Sequence, residues 1–299
     1  MLTSGALVTA TAWTKDTLTE AIETHIASVV GHYRGQCYSW DVVNEALNDN
    51  GTFRNSVFFN VLGTAYIPLS FKAAAAADPD TKLYYNDFSL EFNSNKTVGA
   101  LNIVKLVKDA GERIDGVGFQ AHMIVGQTPS RQQMGRVMNR FTDLGLEVAL
   151  TELDVRFTRL PANGTAVQQQ SNDYVSMVGA CLDVDQCVGV VVWQFTDKYS
   201  WIPTTFPGNG AACLFDENMV RKPAYTAVSN LLASSSSSGA SQTGGSGGGR
   251  GGASNTGGGG PPPTSSPSPF ESVAGRGRTA GAGASTAAIL AVLLGLMVA

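Results

Sequence analysis

The chain has 299 residues, with 20 Lys and Arg against 24 Asp and Glu and a formal net charge of −4. No basic stripe interrupts this mildly acidic composition, so nucleic acid is not expected as a partner. A zinc site is also not expected, because the chain has only three histidines and its four cysteines include no Cys-x-x-Cys pair. We expect no metal, no cofactor and a monomer.

The N-terminal stretch is MLTSGALVTATAWTKDTLTEA, which has neither a basic n-region nor a sustained apolar h-region. It therefore does not read as a signal peptide. A helical pattern begins here and runs through DTLTEAIETHIASVVGHYRG, with Asp16 or Thr17 as its expected N-cap.

Five strand-like runs follow, separated by helical patterns. The runs are CYSWDVVNEA, TKLYYNDF, IDGVGFQAHM, EVALTELDV and CVGVVVWQFTD. The helical patterns lie near residues 56–77, 95–110, 130–145, 167–182 and 222–232. Strands that alternate with helices predict parallel strands joined by right-handed crossovers.

The ends of these runs carry polar side chains. This feature distinguishes a closed α/β barrel from an open dinucleotide-binding sheet. A (β/α)₈ barrel builds its site from the C-terminal ends of many strands, whereas a dinucleotide-binding sheet concentrates chemistry at a Gly-rich first turn. The sequence has no GxGxxG and no P-loop. We therefore predict an α/β fold of the TIM (β/α)₈ barrel class.

Beyond the predicted domain, residues 1–232, the composition changes. Residues 233–271 are rich in Gly, Ser and Pro and are predicted to be a disordered linker. Residues 272–299 combine small residues, a polar spacer and the apolar tail STAAILAVLLGLMVA, the three parts of a glycolipid-anchor signal. A short tail anchor is the alternative. An anchor of this kind implies an extracellular protein held at the cell surface, so the absence of a signal peptide leads us to expect that the true N-terminus is missing.

Two glutamates end the first and fourth predicted strands. Glu45 follows WDVVN, and Glu152 lies in ALTELD. In a barrel both carboxylates would face one mouth, and glycoside hydrolysis requires such a pair. One carboxyl protonates the leaving oxygen, while the other attacks the sugar or activates water.

The residues around these glutamates carry a wider resemblance. WDVVNEAL, LYYNDF, GVGFQAH, TELDVR, VVWQFTDKYSW and GAACLFDENMVRKPAY occur in this order. From about Asp16 to Leu232 the chain resembles glycoside hydrolase family 10, the retaining endo-1,4-β-xylanases, and its fungal members in particular. The resemblance implies xylan or xylo-oligosaccharide as the substrate.

The resemblance also implies roles for individual residues. Glu45 matches the general acid/base, and Glu152 matches the nucleophile. Asn44 matches the residue that holds the sugar 2-hydroxyl at the cleavage point. Trp193 and Trp201 resemble the aromatic walls on which xylose rings stack.

Four further polar residues match positions in the family. Gln120 and His122 correspond to polar groups near the nucleophile, and Asp154 is placed to orient the imidazole of His122. Asn86 matches a sugar-binding position on the leaving-group side.

Two of the four cysteines lie close enough in sequence to close a short loop by a disulfide. Cys181 and Cys187, in ACLDVDQC, could form a disulfide, and the alternative is two independent buried thiols. Cys37 and Cys213 remain unassigned.

The chain departs from the family before Cys37. Family members have three strands before the acid/base strand, and this chain lacks the corresponding residues, so we expect an incomplete barrel with about five strands. Five strands cannot close an eight-stranded barrel, and the chain alone is expected to be unstable and inactive. Two alternatives follow: a degenerate wall protein that binds polysaccharide without cutting it, or a β-1,4-glucanase on a similar barrel.

Overall fold

A computed structural model of the chain describes residues 13–239. Strands and helices alternate along this part of the chain. In order they are α1 (Lys15–His32), β1 (Ser39–Asn44), α2 (Val57–Leu62), α3 (Tyr66–Ala77), β2 (Lys82–Asp87), α4 (Asn95–Asp109), β3 (Gly116–Phe119), β4 (His122–Ile124), α5 (Arg131–Thr142), β5 (Glu147–Arg156), α6 (Gly164–Leu182), β6 (Cys187–Val192), α7 (Ile202–Thr205) and α8 (Pro223–Gly239).

The strands form one parallel sheet in the order β1, β2, β3, β5, β6, with the short β4 pairing beside β5 beyond the end of β3. Each main strand thus lies beside the next one along the chain, as in a section of a (β/α)₈ barrel. Within residues 13–239 no pairing joins β6 back to β1. The prediction of about five barrel strands in an unclosed barrel is confirmed, and the third predicted run is divided into β3 and β4.

The division between β3 and β4 falls at Ala121, whose φ is 60°. A non-glycine residue in this left-handed region interrupts the extended backbone. Gln120 and His122 lie on either side of it, so the break is located at two of the predicted site residues.

The helices pack against the strands, and both contribute to one hydrophobic core. Apolar residues recur on α1 at Leu18, Ile22, Ile26 and Val30, all buried. This spacing gives a helix one apolar face. The N-cap of α1 is Thr14, which forms a capping box with Thr17. The expected caps, Asp16 and Thr17, were therefore wrong, because Thr14 satisfies the free N–H groups one turn earlier.

The helix predicted over 56–77 is interrupted by a 3₁₀ turn at Gly63–Ala65. By length and composition alone, Val57–Ala77 is apolar enough to cross a membrane. Core helices of soluble proteins pass the same test. Ile67 and Phe71 are fully buried in the hydrophobic core, so the apolar character of α3 is explained by its packing.

The last helix extends past the predicted domain boundary at residue 232. It ends at Gly239, so the first serines of the predicted linker continue the helix. Adding residues to an existing helix costs far less than starting one, which offsets the moderate helix propensity of serine. The rest of the predicted linker and the anchor signal lie outside the described residues.

Cys181 at the end of α6 and Cys187 at the start of β6 form a disulfide, with their Cα atoms 5.2 Å apart. The predicted pairing is confirmed. Cys37 and Cys213 are free, and Cys213 is buried. Burial and the nearby carboxylates of Asp197 and Asp154 raise the pKa of the Cys213 thiol to about 12.

Candidate active site

Backbone hydrogen bonds align the polar strand ends at one edge of the sheet. The N–H of Glu45 donates to the carbonyl of Asn86 at 2.9 Å, and the N–H of Glu152 donates to the carbonyl of Gln120 at 3.1 Å. The N–H of Trp193 donates to the carbonyl of Leu153 at 3.1 Å. Residues far apart in sequence are therefore held at the same level of neighbouring strands.

Glu45 follows directly after β1 and has a φ of 56°. A left-handed conformation at a non-glycine residue is uncommon and costs free energy, and such residues often occur at functional sites. Its carboxylate Oε1 accepts a hydrogen bond from Gln120 Nε2 at 3.1 Å, and its Oε2 accepts one from Arg54 Nη1 at 2.9 Å. Both oxygens of the expected acid/base are thereby held in place.

Glu152 lies within β5 and is 7% exposed. Its Oε1 accepts a hydrogen bond from Asn86 Nδ2 at 2.9 Å, and its Oε2 lies 3.3 Å from His122 Nε2. Both carboxylate oxygens of the expected nucleophile are thereby held in place.

The two glutamates are linked by a continuous hydrogen-bond network. Asn44 Oδ1 accepts from Gln120 Nε2 at 3.1 Å and from Asn86 Nδ2 at 2.9 Å. Gln120 also donates to Glu45, and Asn86 also donates to Glu152. The two amide side chains therefore fix the position of each carboxylate relative to the other.

Asn86 is 0% exposed and lies beneath this network. Its Oδ1 accepts from Thr151 Oγ1 at 2.6 Å. Gly118 makes room for it, because a Cβ added at Gly118 would lie 2.2 Å from Asn86 Oδ1. The sequence predicts a sugar contact for Asn86, but its amide is already used by protein partners, so the geometry favours a role in holding Glu152.

His122 lies between two carboxylates. Its Nε2 is 3.3 Å from Glu152 Oε2 and its Nδ1 is 3.1 Å from Asp154 Oδ1. Burial by itself lowers the pKa of His122, but the close Asp154 and Glu152 carboxylates outweigh it and raise the pKa to about 9. The imidazole is therefore a cation at neutral pH. Asp154 also accepts from Trp201 Nε1 at 2.7 Å, so one carboxylate contacts both the imidazole and an indole.

The side chains surround a cleft of about 460 Å³. Six predicted site residues line it: Glu45, Gln120, His122, Glu152, Trp193 and Trp201. Asn44 lines an adjoining recess that also includes Glu45 and Arg54. Asp154 and Asn86 are buried behind the wall.

Several cleft residues escaped the sequence analysis. Phe88 and Ser89 follow directly after β2, Arg156 ends β5, and Phe206 lies after α7. The guanidinium of Arg156 lies 4.2 Å from the centre of the Phe206 ring. Phe88 and Arg156 stand at strand ends, as the predicted residues do, and that signal could have identified them.

Arg54 was also missed. It lies in the loop between β1 and α2, where no periodic pattern marks it. Its Nε donates to the carbonyl of Leu47 at 3.1 Å, and its Cζ lies 5.2 Å from the Phe88 ring centre. These contacts aim the guanidinium at Glu45.

Among residues 13–239, no group of three or more His, Cys, Asp or Glu side chains is arranged to hold a metal ion. The absence of a metal from the reaction stays a prediction.

Comparison with known proteins places this geometry in a family. The model of glycosyl hydrolase family 10 matches residues 4–231. Over 227 residues the chain is 62% identical to endo-1,4-beta-xylanase 5 of Pyricularia oryzae, covering 76% of this chain and 56% of the relative. It is 61% identical over 221 residues to endo-1,4-beta-xylanase 1 of Humicola insolens, covering 74% of this chain and 52% of the relative. The chain thus spans slightly more than half the length of these curated relatives.

Solved structures of xylanases are also similar to this chain. Penicillium canescens endo-1,4-beta-xylanase XylE superposes with a TM-score of 0.74 at 44% identity, over 76% of this chain and 70% of that one. Xylanase 10B from Thermotoga petrophila, solved in complex with xylobiose, gives a TM-score of 0.74 at 38% identity, over 77% of this chain and 70% of that one. With these likenesses and the matching family model, the chain belongs to glycosyl hydrolase family 10, and the predicted TIM-barrel fold class is confirmed.

Proposed function

We propose that this protein is an endo-1,4-β-xylanase that hydrolyses xylan with retention of anomeric configuration. The observation that carries the proposal is the pair of Glu45 and Glu152, which line one cleft and share one hydrogen-bond network. Retaining glycosidases require two carboxyls with distinct partners, one acid and one nucleophile.

In the first step the Glu45 carboxyl gives its proton to the leaving glycosidic oxygen. A carboxylate oxygen of Glu152 forms a bond to the anomeric carbon as the carbon–oxygen bond to the leaving sugar breaks. Glu45 thereby becomes a carboxylate. The Arg54 guanidinium, 2.9 Å from Glu45 Oε2, stabilises the negative charge that this step creates.

In the second step a water molecule enters beside Glu45. The Glu45 carboxylate removes a proton from the water, whose oxygen bonds to the anomeric carbon while the bond to Glu152 breaks. The product sugar has its original configuration, and both glutamates return to their starting states.

The neighbouring residues orient the reactants. Asn86 and the His122 cation contact the two oxygens of Glu152, which keeps the nucleophile in one rotamer. Trp193 and Trp201 supply flat apolar surfaces against which the C–H faces of sugar rings can pack. Asn44 borders the same network and is suited to hold a sugar hydroxyl.

For location, we propose a secreted monomer held at the cell surface by a glycolipid anchor. The Cys181–Cys187 disulfide supports passage through an oxidising compartment, because disulfides persist mainly there. The three-part C-terminal segment supports the anchor. Release of the protein from intact cells by a phosphatidylinositol-specific phospholipase is the expected result, and retention after that treatment would refute the anchor.

The activity is tested with the protein expressed from its complete gene. We expect reducing ends to be released from xylan much faster than from cellulose, and both Glu45→Ala and Glu152→Ala to abolish the release. Faster release from cellulose would favour a β-1,4-glucanase. Binding to xylan without any release would favour a protein that binds polysaccharide without cutting it, and would refute the proposed enzyme.

A further inference from the structure

A second cavity of about 630 Å³ lies beside the catalytic cleft. Three parts of the chain line it: residues 91–93 after β2, residues 126–129 after β4, and the exposed edge of α5. None of its lining residues belongs to the lining of the catalytic cleft. It is therefore a separate recess with its own chemistry.

One hydrogen bond joins the wall of the recess to the backbone of the cleft wall. Glu91 Oε1 accepts a hydrogen bond from the N–H of Ala121 at 2.7 Å, and Ala121 lies between the cleft residues Gln120 and His122. The wall of the recess and this part of the wall of the cleft are therefore direct neighbours.

Buried polar atoms in the recess have no partner. Glu91 is 1% exposed, and within residues 13–239 no side chain or backbone group bonds its Oε2. The buried hydroxyl of Thr128 is likewise unpaired in the described part of the chain. Buried polar atoms are rarely left unpaired, because each costs free energy without a hydrogen bond. Two such atoms in one recess call for a polar ligand.

The outer wall is cationic and partly aromatic. Arg136 and Arg140 are one helical turn apart on α5 and both line the recess. The guanidinium of Arg140 also donates to Asn93 Oδ1. Phe92 is 49% exposed at the rim, and Val137 adds an apolar contact. The wall therefore offers two positive charges and a flat apolar surface.

We propose that this recess binds a carboxylate-bearing sugar, namely a uronic acid substituent carried by the xylan chain. The inference rests on the proposed function for the identity of the polymer. Guanidinium groups bind carboxylates through paired, charge-assisted hydrogen bonds. The Phe92 ring suits a sugar face, and the unpaired oxygens of Glu91 and Thr128 suit sugar hydroxyls, which can donate to them.

The same groups disfavour simpler ligands. A neutral sugar would leave the two guanidiniums without an anionic partner. Inorganic phosphate would satisfy the guanidiniums, but its oxygens are mainly acceptors and would face the Glu91 carboxylate. A ring that carries both hydroxyls and a carboxylate satisfies both halves of the recess.

The test measures the binding of small glycosides to a variant that cannot cleave xylan, so the result does not depend on catalytic activity. The Glu152→Ala variant, expressed from the complete gene, is titrated with methyl glucuronoside and with methyl xyloside and followed by NMR. We expect tighter binding of the glucuronoside, and Arg136→Gln/Arg140→Gln should weaken it about 10-fold, the loss expected for charge-assisted hydrogen bonds. Binding of methyl xyloside should change less than 2-fold.

Arg131→Gln is the matched control, because Arg131 lies on the same helix but pairs with Asp183 and does not line the recess. It should leave glucuronoside binding unchanged. Equal weakening by Arg131→Gln, equal affinity for the two glycosides, or displacement of the glucuronoside by an equal concentration of inorganic phosphate would each overturn the proposal. Failure of the protein to cleave xylan would instead contradict the proposed function and leave this measurement interpretable.

Discussion

Arg54 Nη1 lies 2.9 Å from Glu45 Oε2, so the expected acid/base is ion-paired with an arginine from the loop that follows its own strand. The side chains of Arg54 and Glu45 are 38% and 33% exposed. Solvent therefore screens the pair and reduces its contribution to stability. Its importance should appear in catalysis, because the guanidinium stabilises the negative charge that Glu45 carries after it has donated its proton.

Arg54→Gln should lower kcat for xylan by about 3- to 10-fold, the range expected for a partly screened charge-assisted hydrogen bond. An aryl xyloside with a very acidic leaving group should be affected much less, because it does not need the proton from Glu45. Steady-state kinetics on the two substrates measures the difference. Arg131→Gln, which removes an ion pair outside the cleft, should change neither rate, and equal losses on both substrates would contradict the role of Arg54.

Hydrolysis should proceed with retention, and Glu152 should carry the covalent intermediate. Proton NMR of the first products gives the anomeric configuration directly. Denatured protein trapped with a slow fluorinated xyloside should carry the sugar on the peptide that contains Glu152. Inverted products, or a label on another residue, would contradict the assignment.

Gly118→Ala should displace Asn86 from Glu152, because the added Cβ would lie 2.2 Å from Asn86 Oδ1 and 2.7 Å from the Thr151 methyl group. We expect a fall in kcat of about 10-fold or more, since misplacing a reacting group by about 1 Å can cost as much as 100-fold. Gly189→Ala is the matched control on β6, where an added Cβ meets no atom within 4 Å. Equal kcat for the two variants would show that Asn86 does not position the nucleophile.

The His122 cation should make stability depend on pH. Its pKa is raised from 6.5 to about 9 in the folded protein, so its stabilisation is complete below pH 6.5 and is lost as pH rises through 9. The change corresponds to about 3 kcal/mol in the free energy of unfolding by linkage. Urea unfolding of the protein and of His122→Asn across this range measures it. A stability difference between the two proteins that stays constant from pH 6 to pH 10 would contradict the raised pKa.

Replacing both Cys181 and Cys187 by serine should lower the free energy of unfolding by roughly 2 to 3 kcal/mol, the chain-entropy contribution of a short loop. The disulfide spans a sequence separation of 6, and mass spectrometry of non-reduced peptides should recover the two cysteines linked. Cys37→Ser should have little effect, because Cys37 is a free thiol. Stability that is unchanged in the double variant would refute the contribution of the disulfide.

The local patterns of the sequence predicted the alternation of strands and helices and the polar ends of the strands. Alternating apolar runs and amphipathic stretches are short-range properties, and they predicted the helices and the five strand runs. Because parallel strands end at one edge of a sheet, polar residues in the last part of each run identified Glu45, Gln120, His122 and Glu152 together. The order of the motifs then indicated the family.

Tertiary contacts determined several features of the site that no local sequence pattern indicates. Arg54 reaches Glu45 from an irregular loop, and the separate recess forms only because α5 lies beside the loops after β2 and β4. Asn86 looked like a sugar ligand at its strand end, yet the space left by Gly118 lets it turn inward to Asn44 and Glu152. The sequence alone indicated that the polar ends of the strands meet at one edge of the sheet. Side-chain direction and pairing depend on neighbours distant in the chain, so only the tertiary structure determined which residues face the cleft and which support the others.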